Sequence, residues 1–221
     1  MFKPQLIVFD WDGTLLDSTG AISSAIQDAA RDLGLPIPSR KAAAHVIGLA
    51  LGQALKEAIP EATRAQLPEL IERYKHHYFK SDASLHPFEG IPELLDRLAA
   101  LNVPLAIATG KSHLGLVRAL AALNWQSKFA TTRCADQGNP KPHPWMLLDI
   151  CSELEINVSE ALIVGDTTHD LGLAKNAGAA AIAVTYGAHS EDDFELFNPL
   201  AVVHSVEDLS TLLLKMLSQN K

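Results

Sequence analysis

The chain has 221 residues, of which 48% are hydrophobic and 20% charged. That balance excludes disorder as the main state and suits one or two packed domains. Twenty-six acidic residues against 18 basic ones give a net charge of −8, so there is no basic stripe and nucleic acid is not an expected partner.

The first predicted strand covers residues 5–10, QLIVFD. It is too short for the apolar core of a signal peptide. No apolar run approaches the roughly 18 residues of a membrane span. The chain therefore reads as a cytoplasmic protein without a membrane partner, and Cys134 and Cys151 read as free thiols.

Residues 17–82 show helical patterns only, broken at Gly34-Leu35-Pro36, near Gly48 and at Pro60. This stretch carries eight acids and eight bases, so the other residues hold the whole net charge. It reads as a helical insert, with residues 1–16 and 83–221 forming the catalytic core. A helix is predicted over 91–101, where Pro92 suits a first turn and Leu94, Leu95, Leu98 and Leu101 share a stripe.

Strands follow at 104–109 (PLAIAT), 161–166 (ALIVGD) and 180–185 (AAIAVT). Each is a short, near-continuous apolar run, the pattern of a parallel strand covered on both faces. A weaker strand is expected over 129–132 and an edge strand over 201–204. Helices are predicted over 112–123, 144–154 and 168–177, the last stopped by Gly178. The alternation implies an α/β fold, a doubly wound, mostly parallel sheet with an inserted helical domain.

Three of these strands end in a polar residue with further functional residues just after it: Asp10, Thr109 and Asp166. Ligands of open α/β sheets bind at the carboxyl ends of strands, so the three residues can converge on one site. Asp10-Trp11-Asp12-Gly13-Thr14 places two carboxylates before a glycine turn. That pair suits a hard cation and phosphoryl chemistry, one aspartate as nucleophile and the other as general acid and base. Asp166 is placed to ligate the same cation, and Asp170, one turn on, could order a metal-bound water. The alternative for this segment is an ordinary helix cap.

Thr109-Gly110-Lys111-Ser112 imitates a phosphate loop, but position 105 is Leu where that motif needs Gly. What remains is a hydroxyl and a run of backbone amides at a helix start. Lys141 lies in Asn139-Pro140-Lys141-Pro142-His143-Pro144, held by three prolines as a group that neutralises a phosphate or a carboxylate.

The set DWDGTLLDS, ATGKS, KPHP and GDTTHD, in that order and spacing, resembles the haloacid dehalogenase superfamily of aspartate-dependent phosphohydrolases. It is similar to the branch with a helical cap after the first motif, and most like phosphoglycolate-phosphatase-like proteins. The resemblance implies Asp10 as nucleophile and Asp12 as general acid and base. It implies Thr109, Gly110 and Lys141 as the substrate-binding segment. Mg²⁺ would be held by Asp10, the Asp12 carbonyl and Asp166, with Asp170 in support.

The implied activity is hydrolysis of a small phosphorylated metabolite through an aspartyl-phosphate, with 2-phosphoglycolate the leading substrate. Pyrophosphate hydrolysis, a phosphosugar phosphatase and a phosphomutase are alternatives. The stretch Ile47 to Gly52 lacks the arginine of the mutases, and Gly110 stands where the phosphoglycolate branch often has Asn. A receiver-like signalling protein phosphorylated on aspartate is the alternative outside enzymes; it has no such insert. Trp11, Trp125 and Trp145 read as packing, His76 and His77 as surface residues, and His45 as a candidate substrate contact.

Overall fold

A computed structural model describes residues 2–82 and 86–218. The boundary expected at 82/83 adjoins residues 83–85, which lie outside the described residues. Six strands form one sheet, all parallel, in the order β3-β2-β1-β4-β5-β6. They are β1 (Leu6–Phe9), β2 (Leu105–Thr109), β3 (Thr131–Cys134), β4 (Ala161–Gly165), β5 (Ala180–Val184) and β6 (Ala201–Val203). The helices are α1 (Thr19–Asp32), α2 (Arg40–His45), α3 (Leu51–Ala58), α4 (Leu67–Asp82), α5 (Ile91–Ala100), α6 (His113–Leu123), α7 (Trp145–Glu153), α8 (Thr168–Ala177) and α9 (Val206–Ser218).

The doubly wound α/β fold expected from the sequence is the one observed. The central strands β1 and β4 are apolar at every position because both faces of the sheet are covered there. In β1, Ile7 and Phe9 point to a cluster shared with Leu94 and Leu98 of α5 and Leu209 and Leu213 of α9. Leu6 and Val8 point the other way, to Met146 and Ile150 of α7 and Leu171 of α8. Truncating one such residue, Phe9→Ala, costs about 3–5 kcal/mol by analogy with other cores.

The weaker strand expected over 129–132 is displaced to Thr131–Cys134. Its register against β2 pairs Ala106 with Thr131 and Thr109 with Cys134. Phe129 is buried instead in the cluster on the Ile7 face, so its hydrophobicity signalled packing ahead of the strand rather than the strand itself. Both cysteines are free and buried. Burial pushes the Cys134 thiol up to about 12 and Cys151 to about 11.

α1 to α4 lie between β1 and α5 and carry their own apolar cluster, in which Ile22, Ile26 and Ala29 meet Ala43, Leu55 and Leu70. The helix breaks fall at Gly34-Leu35-Pro36, around Gly48 and at Pro60. His77 is not a plain surface residue: its Nε2 lies 2.8 Å from Asp32 Oδ2, tying α4 to α1.

The chain leaves β1 through β2 to β3, then crosses back to β4 on the other side of β1. The strand order reverses between β1 and β4. That is the crevice where open α/β sheets bind ligands.

Candidate active site

Asp10 follows β1 directly and Asp166 follows β4, its neighbour in the sheet. The Asp10 N–H donates to the Val164 carbonyl at 2.9 Å, holding the two strand ends level. Thr109 is the last residue of β2 on the other side of β1. The three polar strand ends are therefore brought to one edge, together with Asp170 from the first turn of α8.

Asp10, Asp166 and Asp170 each offer an oxygen within 4.8 Å of the others, and all three are buried. One ammonium enters the cluster. Lys141 Nζ donates to Asp10 Oδ1 at 2.6 Å and to Asp170 Oδ1 at 2.5 Å, and the lysine is 1% exposed. A lysine so deep is held only because carboxylates surround it. Burial disfavours its ammonium, but Asp10 and Asp170 outweigh that, and Lys141 keeps its proton more firmly than usual.

Asp170 serves two purposes at once. Its Oδ2 accepts from the Thr167 N–H at 3.1 Å and the Thr167 hydroxyl at 2.7 Å, completing a capping box at the start of α8. Its Oδ1 faces Lys141. The cap reading and the site reading of this segment are therefore compatible.

Asp166 Oδ1 accepts from the Thr14 hydroxyl at 2.8 Å, and Oδ2 from the Ala188 N–H at 2.7 Å. Burial raises its pKa to about 7 and Asp170 adds to the rise, against the Ala188 and Thr14 hydrogen bonds and Lys141. Asp10 is pushed well above the carboxylate range, first by burial, while Lys141 pulls it down and Asp170 and Asp166 push it further up. Asp10 Oδ2 is buried with no hydrogen-bond partner among the described residues.

Three buried carboxylates against one ammonium leave a charge deficit that low-dielectric surroundings make costly. A hard divalent cation with oxygen ligands fits this donor set, and the partnerless Asp10 oxygen is the atom such a cation would satisfy.

Asp12 lies apart from this cluster. Ser18 Oγ donates to its Oδ1 at 2.7 Å, and Lys111 Nζ lies 3.2 Å from each carboxylate oxygen. Lys111 also donates to the Tyr78 hydroxyl of α4 at 2.9 Å. Gly13, at φ +90°, makes the turn directly after Asp12, and a Cβ there would collide with Asp166 Oδ2.

Above Asp10 and Asp12 lies a cavity of about 250 Å³. Thr109, Gly110, Lys111 and Ser112 line its sheet side, and residues of α1, α3, α4 and the loop 46–49 line the other. The two sides touch closely at Gly110. A Cβ there would meet the carbonyl oxygens of Gly48 and Leu49, so the position where the phosphoglycolate branch often has Asn is one that only glycine fits here. His189 Nδ1 accepts from the Thr168 N–H at 3.2 Å. Its proton is therefore on Nε2, which donates to the His45 carbonyl at 3.0 Å. His169 Nε2 is 3.2 Å from the same carbonyl. The His45 ring stacks on His189 at 4.6 Å and does not line the cavity.

Trp11 is buried against Trp125 in an edge-on contact at 6.0 Å, and Trp145 packs on the opposite face of the sheet. Sequence reasoning assigned no role to Lys111, Thr14, Ser18 or Ala188. Lys111 was visible inside the rejected phosphate-loop pattern. The Ala188 amide had no signal, because its contribution is a backbone group.

Residues 7–184 match the family model described as "Haloacid dehalogenase-like hydrolase". The chain belongs to this family. It is 36% identical over 213 residues to "Probable phosphatase IndB" of Dickeya dadantii, covering 94% of this chain and 92% of that one. It is 31% identical over 221 residues to the phosphoglycolate phosphatase of Pectobacterium atrosepticum, covering 97% and 94%. The crystal structure of a hydrolase from Pseudomonas syringae superposes with a TM-score of 0.87 at 25% identity, covering 96% of this chain and 98% of that one. No helix of the described residues is long and apolar enough to cross a membrane.

Proposed function

We propose that the chain is a Mg²⁺-dependent phosphatase that hydrolyses a small phosphate monoester through an aspartyl-phosphate on Asp10. One observation carries this reading. A buried carboxylate at the floor of a cavity has Lys141 on one oxygen and no partner among the described residues on the other. The phosphatase names of the relatives in Dickeya and Pectobacterium support it.

Asp10 attacks the phosphorus atom and the bond to the leaving oxygen breaks. Asp12 gives that oxygen a proton, then takes one from the water that attacks the aspartyl-phosphate. Two of the three N–H donors of Lys141 are engaged by Asp10 and Asp170, which leaves the third for a phosphate oxygen. The Thr109 hydroxyl and the amides after it serve the other oxygens. Asp10, Asp166 and the Asp12 carbonyl, with Asp170 in support, would hold Mg²⁺, which would supply the positive charge that lets a phosphate dianion approach an ionised aspartate.

A panel of phosphate esters, with 2-phosphoglycolate and pyrophosphate included, tests this reading in Mg²⁺ and in excess EDTA. Turnover that EDTA abolishes and Mg²⁺ restores is the expected result. Full activity in EDTA, or none on any ester with Mg²⁺, would count against it.

A further inference from the structure

We infer that the alcohol half of the substrate is an apolar group of about the size of an aromatic ring, and not a carboxylate-bearing one such as glycolate. This inference rests on the phosphatase reading and narrows its substrate.

The wall that faces Asp10 and Asp12 across the cavity is apolar. Ile22, Ile26, Val46, Leu51, Tyr74 and Tyr78 line it, and Ile26 and Val46 are at most 2% exposed. The Tyr74 and Tyr78 rings, one turn apart on α4, lie nearly parallel with centroids 5.8 Å apart. Phe79 is also part of the lining. Apart from Lys75 and the two tyrosine hydroxyls of α4, the polar groups of the lining sit at the sheet side, where the phosphoryl group must lie against Asp10.

A carboxylate in such a cavity needs a cation of its own, because an unpaired buried charge is heavily penalised. Among the described residues lining the cavity there is no arginine and no histidine. Its two lysines already face carboxylates. Lys111 pairs with Asp12 at 3.2 Å in a largely buried contact, and Lys75 with Glu72 at 2.8 Å in an exposed pair on the surface of α4, which holds it only weakly. A carboxylate on the substrate would have to compete with Asp12 for Lys111, and Asp12 is the general acid and base of the proposed reaction.

Size points the same way. Cavities of about 150 Å³ admit benzene when apolar, and this one has about 250 Å³. A two-carbon leaving group would leave much of the apolar wall in contact with water. A ring would cover it and gain the transfer free energy of that surface.

The experiment compares kcat/KM for benzyl phosphate, ethyl phosphate and 2-phosphoglycolate with Mg²⁺. All three leave through an aliphatic alcohol oxygen of similar basicity that Asp12 protonates, so differences in leaving-group chemistry are small. Benzyl phosphate is expected to exceed each of the others by about tenfold or more, the scale of a well-filled apolar pocket.

Two variants locate the effect. Ala54→Leu, which narrows the cavity, is expected to lower benzyl phosphate about tenfold more than ethyl phosphate. Leu51→Arg, at a half-buried position of the wall, is expected to shift preference toward 2-phosphoglycolate. Because each result is a ratio within one preparation, a loss of folded protein cancels. A wild-type preference for 2-phosphoglycolate over benzyl phosphate would overturn this inference alone, as would equal losses on all three esters in Ala54→Leu. Inactivity on every ester would overturn the phosphatase reading together with it.

Discussion

Lys111 Nζ stands 3.2 Å from both carboxylate oxygens of Asp12, so one ammonium from the end of β2 fixes the plane of a side chain from the end of β1. Ser18 and the Tyr78 hydroxyl complete the clamp. The arrangement holds Asp12 at the floor of the cavity, beside Asp10 yet outside its carboxylate cluster. A proton donor to a leaving oxygen has to stand at such a place.

This placement predicts a leaving-group effect. Asp12→Asn should lower the phosphorylation rate on an alkyl phosphate by about 10²–10⁴-fold, the usual worth of a positioned acid. p-Nitrophenyl phosphate, whose leaving group needs little protonation, should lose much less. Single-turnover kinetics on the two substrates measure this, and an equal loss on both would show that Asp12 is not the acid.

Lys141→Met should both inactivate and destabilise. It leaves Asp10 and Asp170 buried without their cation, and breaking such a pair costs about 3–5 kcal/mol. Urea denaturation at neutral pH checks the magnitude. A loss under about 1 kcal/mol would mean that the carboxylates are relieved in some other way.

Protons and Mg²⁺ should compete for the site. Asp166 has its pKa raised to about 7, against about 3.9 unfolded. In the metal-free protein its contribution to stability is present below about pH 4 and is lost as pH rises through about 7. A cation reverses this, because it binds the ionised carboxylates and releases their protons. The rise in melting temperature on replacing EDTA with Mg²⁺ should therefore be larger at pH 8 than at pH 5. An equal rise at both would mean that Asp166 does not bind the metal.

Gly110→Ala should fold but work poorly. Its Cβ would press on the Gly48 and Leu49 carbonyls, displacing the loop that closes the cavity and leaving the sheet core untouched. A fall in kcat/KM of about 10²-fold is expected, the cost of a misplacement near 1 Å. Melting curves should stay within a few degrees. Unchanged kinetics would mean that the loop gives way freely.

Much of this was legible in the sequence. Runs such as Leu6–Phe9 and Ala161–Gly165 are apolar at every position, which marks strands covered on both faces. The polar residue that ends each run then marks the site, because the sheet aligns the strand ends. β3 was displaced because Phe129 packs before the strand begins. The pairing of Lys111 with Asp12 was hidden because the two are 99 residues apart and meet only when β1 and β2 pair. The closeness of Gly110 to Gly48 depends on how the helical insert sits over the sheet, which no local pattern reveals.

Rapid acid quenching during turnover of a ³²P-labelled phosphate ester with Mg²⁺, followed by peptide mapping, traps the phosphoryl group on the residue that attacks it. Hydroxylamine-labile label is expected on the peptide that carries Asp10, and none in Asp10→Asn. Label on another residue, or turnover by Asp10→Asn near the wild-type rate, would contradict Asp10 as the nucleophile.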